Sequence, residues 1–345
     1  MLKKLKEYTG VIHIHTNYSD GFVKLKTIAK IANKIGLDYV IITDHNDFSH
    51  YLEGSEGWYG RSLISIGKEI TLKTGHCLAI DINRQIQYNG NNLQHYIDQI
   101  NKQNGMSFIA HPHLSDRIEF KIKKCSWTDW TVKDFTGIEV WSYMHDWIDK
   151  TNIFNFVYNI FKPDKLIDGP FKETIKKWDE LCQTRKVVGI GGLDAHSIPI
   201  LPFFNLKVFP YKDLFQKVRT HILSEPFTNN FTEDKKIIMK SIRNGHCFFA
   251  NDYESDSSGF GFWLENDKND ILAIMGDEVK FSPDNILKIK SPIISDIRII
   301  KNGKKIISKH SNYCEYKVDE YGVYRVEVRH KNRKWIYSNP IYIRK

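Results

Sequence analysis

Over the first two hundred residues of this chain, short apolar runs alternate with stretches of helical periodicity, and almost every apolar run ends in a histidine, aspartate or glutamate. The alternation predicts a β/α architecture on a mainly parallel sheet, with strands near residues 11–15, 39–43, 63–70, 77–82, 107–110, 137–141 and 187–193. Between the first two strands Leu25, Ile28, Ala29, Ala32 and Ile35 recur at helical spacing, and Gly36 stops the run. A second helix is expected from Asn92 to Gln103. In a closed parallel barrel the strand ends converge on one mouth, so the polar residues that finish these runs are predicted to meet there.

Beyond this region the pattern changes twice. Residues 146–185 read as a helical, aromatic insertion packed beside the barrel, and a final helix ends at Gly245. From about residue 251 period-2 alternation takes over, with Asn302-Gly303 set as a type I′ hairpin turn in DIRIIKNGKKIIS and YGVYRVEVRH continuing the alternation. The expected organisation is therefore a barrel domain over residues 1–250 and a small β-sandwich over 251–345.

Composition excludes several classes. With 41% hydrophobic and 26% charged residues, 345 residues can bury a substantial core, which rules out global disorder. The charge balance, 50 − 41 = +9, suits an anionic substrate, but it is spread along the chain without a dense basic run. Nucleic acid is accordingly a less favoured partner. Five cysteines, odd in number and without a CxxC pair, are expected to be reduced, mostly buried thiols. No apolar run of about 18 residues occurs, so the expectation is a cytoplasmic protein without a membrane partner.

The chemistry resides in the run-ending residues. His13 and His15, two apart in a strand, are predicted to leave the same face while Ile12 and Ile14 pack on the other. SDG adds Asp20, TDH adds His45 and GKEIT adds Glu69; GHCLAI, AHPH and GGLDAH add His76, His111, Asp194 and His196. Any one of these could be a cap, a turn residue or a core histidine. Nine together are different, because carboxylates and imidazoles packed in one place need metal to offset desolvation and repulsion. At three or four protein ligands per open ion, nine with one bridging carboxylate serve two or three metals.

The motifs HIHTNYSDG, ITDHN, GKEIT, AHPH and GLDAH, in that order, resemble those of the PHP (polymerase and histidinol phosphatase) family. The tail, with SDIRIIKNGK, YGVYRVEV and WIYSNPIYI, is similar to the branch of that family named after the carbaryl hydrolases CehA and McbA. The resemblance implies a distorted seven-stranded (β/α) barrel holding two or three divalent ions, usually Zn, Mn or Fe, that hydrolyses phosphoesters. It also implies that His13, His15, Glu69 and Asp194 hold the first metal, that Glu69 bridges to a second held by His76 and His111, and that Asp20, His45 and His196 hold the third. In this reading a metal-bound hydroxide attacks the ester, with Asp194, Glu69 and His196 as the catalytic metal-holding residues.

Other residues have smaller expected roles. Asp44 is expected to orient a ligand histidine or a helix end, and Glu139 either supports a ligand or is a core carboxylate. His113, Arg117, Tyr143 and His145 follow strand ends and can reach the mouth, with Arg117 and His113 the candidate substrate contacts. The favoured function is a small-molecule phosphoesterase acting on an anionic phosphoester. The alternatives are a nuclease or nucleotide phosphatase, a carbamate or carboxylic ester hydrolase of the CehA/McbA type, and a binding module in which the barrel is only a scaffold.

Overall fold

A computed structural model describes residues 5–113, 126–152, 154–197, 199–201 and 206–345. The chain divides into two compact units, one formed by Thr9–Thr174 with Gly191–Arg219, the other by Met1–Tyr8, Ile175–Ile190 and Thr220–Lys345. The fold is a mixed α/β one with a large β-sheet.

The first unit takes up the chain at Thr9, within strand β1 (Lys6–Ile14), and continues through helix α1 (Leu25–Ile35) and strand β2 (Tyr39–Ile42). A one-turn helix α2 (Ser49–Leu52) and strands β3 (Gly57–Tyr59) and β4 (Ser62–Ile66) follow. β1 pairs parallel with β2, and β2 with β4. α1 forms where the apolar stripe requires it: Leu25, Ile28, Ala29 and Ala32 are buried, and Gly36 ends the helix at φ 91, where a side chain would be strained. Burying Leu25 and Ile28 stabilises the unit by on the order of 1.5–3 kcal/mol each, before conformational entropy is counted.

The stretch read as one strand over residues 63–70 is two. Gly67 separates β4 from β5 (Lys68–Leu72), and a Cβ at that position would come within 2.6 Å of the Ala79 carbonyl oxygen. β5 opens a second sheet with β6 (Gly75–Ile80), β7 (Met106–Ile109) and β8 (Gly137–Ser142). Between β6 and β7 lies helix α3 (Leu93–Asn101), where the Asn92 side chain caps the helix by accepting from His95 N–H. Here the expectation of a mainly parallel sheet fails for three strands: β5, β6 and β7 pair antiparallel, while β7 with β8 is parallel. For the β5–β6 pair the reason is the connection. Only Lys73 and Thr74 join β5 to β6, while a parallel crossover needs a dozen residues or more.

Isolated bridges stitch the sheets together where the polar residues lie, Ile14 with Ala195 and His45 with Glu69. The region of the expected insertion contains helices α4 (Tyr143–Lys150), α5 (Phe156–Phe161) and α6 (Lys172–Thr184), after which strand β9 (Val188–Gly192) leads to Asp194.

The second unit is built on antiparallel strands. Ile286–Lys301 pairs with Lys304–Lys317 on one side and Gly322–His330 on the other, the latter pairing on to Arg333–Ser338, which in turn pairs with Cys247–Asn251. The hairpin turn is the expected one, with Asn302 at φ 49 and Gly303 at φ 77. Alternate residues Leu287, Ile289, Ile297 and Ile299 join Phe248, Phe262, Tyr324, Val326 and Trp335 in one apolar core. Helix Phe231–Asn244 ends at Gly245 as expected, at φ 67. Cys77, Cys182, Cys247 and Cys314 are buried free thiols, and Cys125 lies outside the described residues. Among the described residues no helix is long and apolar enough to cross a membrane.

Candidate metal centre

His13 and His15 do reach one place, by a route other than the regular pleat. The register of β1 against β2 shifts between Ile12 and Ile14, and His13 sits in the left-handed region at φ 68. The bulge turns His13 so that its Nε2 lies 3.2 Å from Glu69 Oε2 and 3.2 Å from Asp194 Oδ1. His15, just past the strand, places its Nε2 at 3.2 Å and 3.0 Å from the same two oxygens. His111 and Asp194 are also left-handed, at φ 25 and φ 54. Such backbone strain costs of order 1–3 kcal/mol per residue and persists where the surroundings enforce it.

Glu69 is the hinge of the arrangement. Its Oε2 faces His13, His15 and His45 Nδ1, the last at 2.9 Å, while its Oε1 faces His76 Nδ1 at 2.9 Å and His111 Nε2 at 3.2 Å. On the outer side Asp20 stands 3.1 Å from His196 Nε2 and 3.4 Å from His45 Nε2. All nine residues singled out in the sequence therefore belong to one contiguous cluster. Within it, His13, His15, Glu69 and Asp194 form one group with converging ligand atoms, His15, Asp20, His45 and His196 a second, and His45, Glu69 and His76 a third.

Electrostatics fits a cation. Burial alone would raise the Glu69 and Asp194 carboxyls, but the surrounding histidines outweigh it and hold both well below the usual carboxylate range. Asp20 is lowered in the same way by His196 and His45. In the protein alone these carboxylates draw protons onto imidazoles, lifting His45 to about 10 and His13 well above its ordinary value in spite of burial. Two buried atoms at the centre, His13 Nε2 and Glu69 Oε2, face each other without a hydrogen bond. Unpaired buried nitrogen and carboxylate atoms at that separation are what a metal-ligand pair leaves when only the protein atoms are counted.

A model of the PHP domain matches residues 12–183. The chain belongs to the PHP domain family. It is 31% identical over 153 residues to the uncharacterized protein MJ1587 of Methanocaldococcus jannaschii, a match spanning 39% of this chain and 81% of that protein. Among solved structures it is similar to a two-domain protein of Bacteroides vulgatus containing a predicted PHP-like metal-dependent phosphoesterase, with a TM-score of 0.47, 13% identity and coverage of 98% and 96% of the two chains. It is also similar to PsfC of Pseudomonas syringae, with a TM-score of 0.39, 14% identity and coverage of 67% and 88%.

The residues around the PHP ligand cluster sort themselves by their partners. Glu139, left open by the sequence, supports two cluster members: Oε1 lies 2.9 Å from His13 Nδ1 and Oε2 accepts the His111 backbone N–H at 2.8 Å. It fits beside β9 because a Cβ on Gly192 would run into its carboxylate. His145 joins the cluster outright, its Nδ1 3.2 Å from Asp194 Oδ2 and its ring stacked on His111 with centroids 3.8 Å apart. The only sequence signal for it was its place just after the GIEVW strand. Tyr143 from the same stretch donates to Asp164.

Asp44 reaches a ligand histidine indirectly, through Ser19, whose Oγ lies 3.4 Å from His15 Nδ1. It ties down the loop between His15 and Asp20, accepting from Thr16 N–H at 2.6 Å, Thr16 Oγ1 at 2.8 Å and Ser19 Oγ at 2.5 Å. His113 Nδ1 lies 2.9 Å from Thr174 Oγ1, with its ring near Trp130. Arg117 lies outside the described residues.

Proposed function

We propose that this PHP protein is a cytoplasmic, metal-dependent phosphoesterase acting on a small anionic phosphoester. In this reading a distorted seven-stranded barrel over residues 1–250, with its insertion near 146–185, carries the reaction, and residues 251–345 form an accessory β-sandwich of the CehA/McbA kind. The observation that carries it is the pair of unmet buried atoms, His13 Nε2 and Glu69 Oε2, at the centre of six histidines and three carboxylates.

His13, His15, Glu69 and Asp194 would hold one ion, Glu69 with His76 and His111 a second, and Asp20, His45 and His196 a third; His145, beside Asp194, adds a donor. Divalent Zn, Mn or Fe bound there supplies a water acidified toward neutral pH and positive charge for the ester oxygens. The chain's own contribution is orientation. Glu139 accepts a hydrogen bond from His13 Nδ1–H, which leaves the Nε2 lone pair turned into the cluster. The Asp194 carbonyl does the same for His196, accepting from Nδ1 at 2.8 Å and leaving Nε2 toward Asp20. Thr71 Oγ1, 2.7 Å from His45 Nδ1, positions that ring.

A phosphoryl group presents several anionic oxygens to such a site, whereas a carbamate carbonyl offers one developing oxyanion, which favours the phosphoester. The test is elemental analysis of protein purified without added metal, followed by catalytic efficiency on p-nitrophenyl phosphate, a phosphodiester, p-nitrophenyl acetate and carbaryl. At least two transition-metal ions per chain and preferential phosphoester turnover are expected. Efficient cleavage of the neutral esters with none of the phosphates would overturn the phosphoesterase reading, and full activity in metal-free protein would overturn the metal reading.

A further inference from the structure

The segment between α4 and α6 has its polarity turned inside out. Residues at i, i+4 and i+7 of a helical stretch share one face, and Phe154, Tyr158 and Phe161, in and just before α5, have that spacing. These rings are 97%, 54% and 74% exposed. The inward side of α5 carries an amide instead: Asn159 is fully buried, its Nδ2 donating to Thr151 Oγ1 at 3.0 Å and its backbone carbonyl accepting from Trp147 Nε1 at 3.1 Å. Phe156 also turns inward, its ring centroid 6.4 Å from that of Trp147. Apolar side chains scattered singly over a surface need no explanation, but three rings on one face, above a buried amide, form an apolar ridge that folding did not require.

Charge decides what can meet this ridge. Lys162 and Lys165 follow Phe161 directly, both are exposed, and neither side chain makes an ion pair among the described residues. Asp164, the one carboxylate between them, is turned inward, accepting from Lys217 Nζ at 2.7 Å and from the Tyr143 hydroxyl at 2.9 Å. Asp149 pairs with Lys150 at 3.0 Å, and Asp168 also acts on Lys150. The ridge therefore ends in a cationic margin.

A two-fold contact with a second copy of the chain would set that margin against itself. Single-stranded nucleic acid stacks its bases on rings that line a groove, with cations tracking its backbone, whereas here the rings protrude and the cations stand at one end. An anionic bilayer satisfies both features, since rings enter the boundary between headgroups and acyl chains while ammonium groups stay with the phosphates.

We propose that the α5 ridge docks the first unit on an anionic lipid bilayer, with Phe154, Tyr158 and Phe161 inserted at the interface and Lys162 and Lys165 on the lipid phosphates. This docking does not depend on the hydrolytic reading. It replaces the expectation of no membrane partner, which rested on the lack of a spanning apolar run and bears on crossing a bilayer, not on lying against one.

The test is co-sedimentation of the full chain with vesicles of equal parts phosphatidylglycerol and phosphatidylcholine, beside vesicles of phosphatidylcholine alone. Binding to the mixed vesicles is expected, weaker on phosphatidylcholine and weakened by salt. Phe154→Ser with Phe161→Ser should lower the partition coefficient about tenfold or more on the mixed vesicles. Lys162→Glu with Lys165→Glu should do the same there, whereas Lys30→Glu with Lys34→Glu, an equal charge change on exposed residues of α1, and Tyr88→Ser, the loss of an exposed ring elsewhere, should leave it nearly unchanged. Unchanged melting temperatures show that the variants fold, and should the phenylalanine pair fail that check, the lysine pair provides the test. No binding to the mixed vesicles, or binding that survives the ridge changes, overturns the proposal. So does a dimer dispersed by the same changes without vesicle binding, which assigns the ridge to a second copy, or binding of oligothymidylate in place of vesicles, which assigns it to nucleic acid.

Discussion

Two regions of this protein bury ionised groups, and they do so in opposite ways. In the second unit Arg325 is sunk among apolar residues, yet each arm of its guanidinium is paired: Nε and Nη2 donate to the two Asp179 oxygens at 2.7 and 2.8 Å, and Nη1 donates to Glu327 at 2.8 Å. The two carboxylates outweigh burial and raise its pKa further. In the candidate metal centre Glu69, Asp194, His13 and His15 crowd together, the backbone of His13 and Asp194 is left-handed, and central atoms are left unmet. Burial of charge is common to both regions, so it does not by itself mark function. What separates them is completeness: a structural ion pair closes on itself, whereas a ligand set stays open for a further partner.

The contrast is open to direct attack. The largest effect should come from Asp194→Ala or His13→Ala, which are expected to remove at least one metal ion per chain and to lower kcat on the order of a thousandfold. Metal analysis beside kinetics checks this, and retention of both ions would dissolve the distinction. Next, Arg325→Ala should strand Asp179 and Glu327 and cost roughly 3–5 kcal/mol in chemical denaturation. A double change to Arg325→Met with Asp179→Leu should recover much of that loss, since a closed pair can be replaced by apolar packing.

A pH effect of intermediate size should separate the units. Burial lowers the pKa of His221, but Asp252 and Glu7 outweigh it and raise it to about 9; His221 Nδ1 lies 2.8 Å from Glu7 and Nε2 3.1 Å from Asp252. The folded state therefore holds this proton more tightly than the unfolded chain. Its contribution to stability should be complete below the ordinary histidine value of about 6.5 and vanish as pH rises through about 9, a loss of up to about 3 kcal/mol. Unfolding curves between those limits test it, and His221→Gln should flatten the profile. The smallest effect on the fold should come from Glu139→Gln, with metal affinity reduced about 10- to 100-fold and the unfolding midpoint of the metal-free protein nearly unchanged. A large loss of stability instead would make Glu139 a structural carboxylate like Asp179.

Much of the candidate site was legible because ligand chemistry is local in sequence: strand ends bearing His, Asp or Glu were visible as residue types at fixed places in an alternating pattern. His145 carried the same kind of signal but no distinguishing motif. Glu139 had two readings, and only its contacts with His13 and the His111 amide decided between them. Asp44, expected to orient a ligand histidine or a helix end, touches a histidine only through Ser19, which lies between it and His15, and is also bonded to Thr16. Residue type reveals capacity to bond, and the partner is set by chain segments tens of residues away.

The sequence by itself determined the apolar stripe of α1 and its stop at Gly36, the Asn302-Gly303 hairpin, and the nine residues that gather. Each depends on neighbours within a few positions, where periodicity and turn chemistry act. Tertiary structure alone decided that β5, β6 and β7 run antiparallel, that a bulge rather than the pleat aims His13, and that Gly67 breaks one apolar run between two sheets. Those outcomes turn on long-range hydrogen bonding and close packing, which fix strand direction and side-chain aim only after distant segments have met.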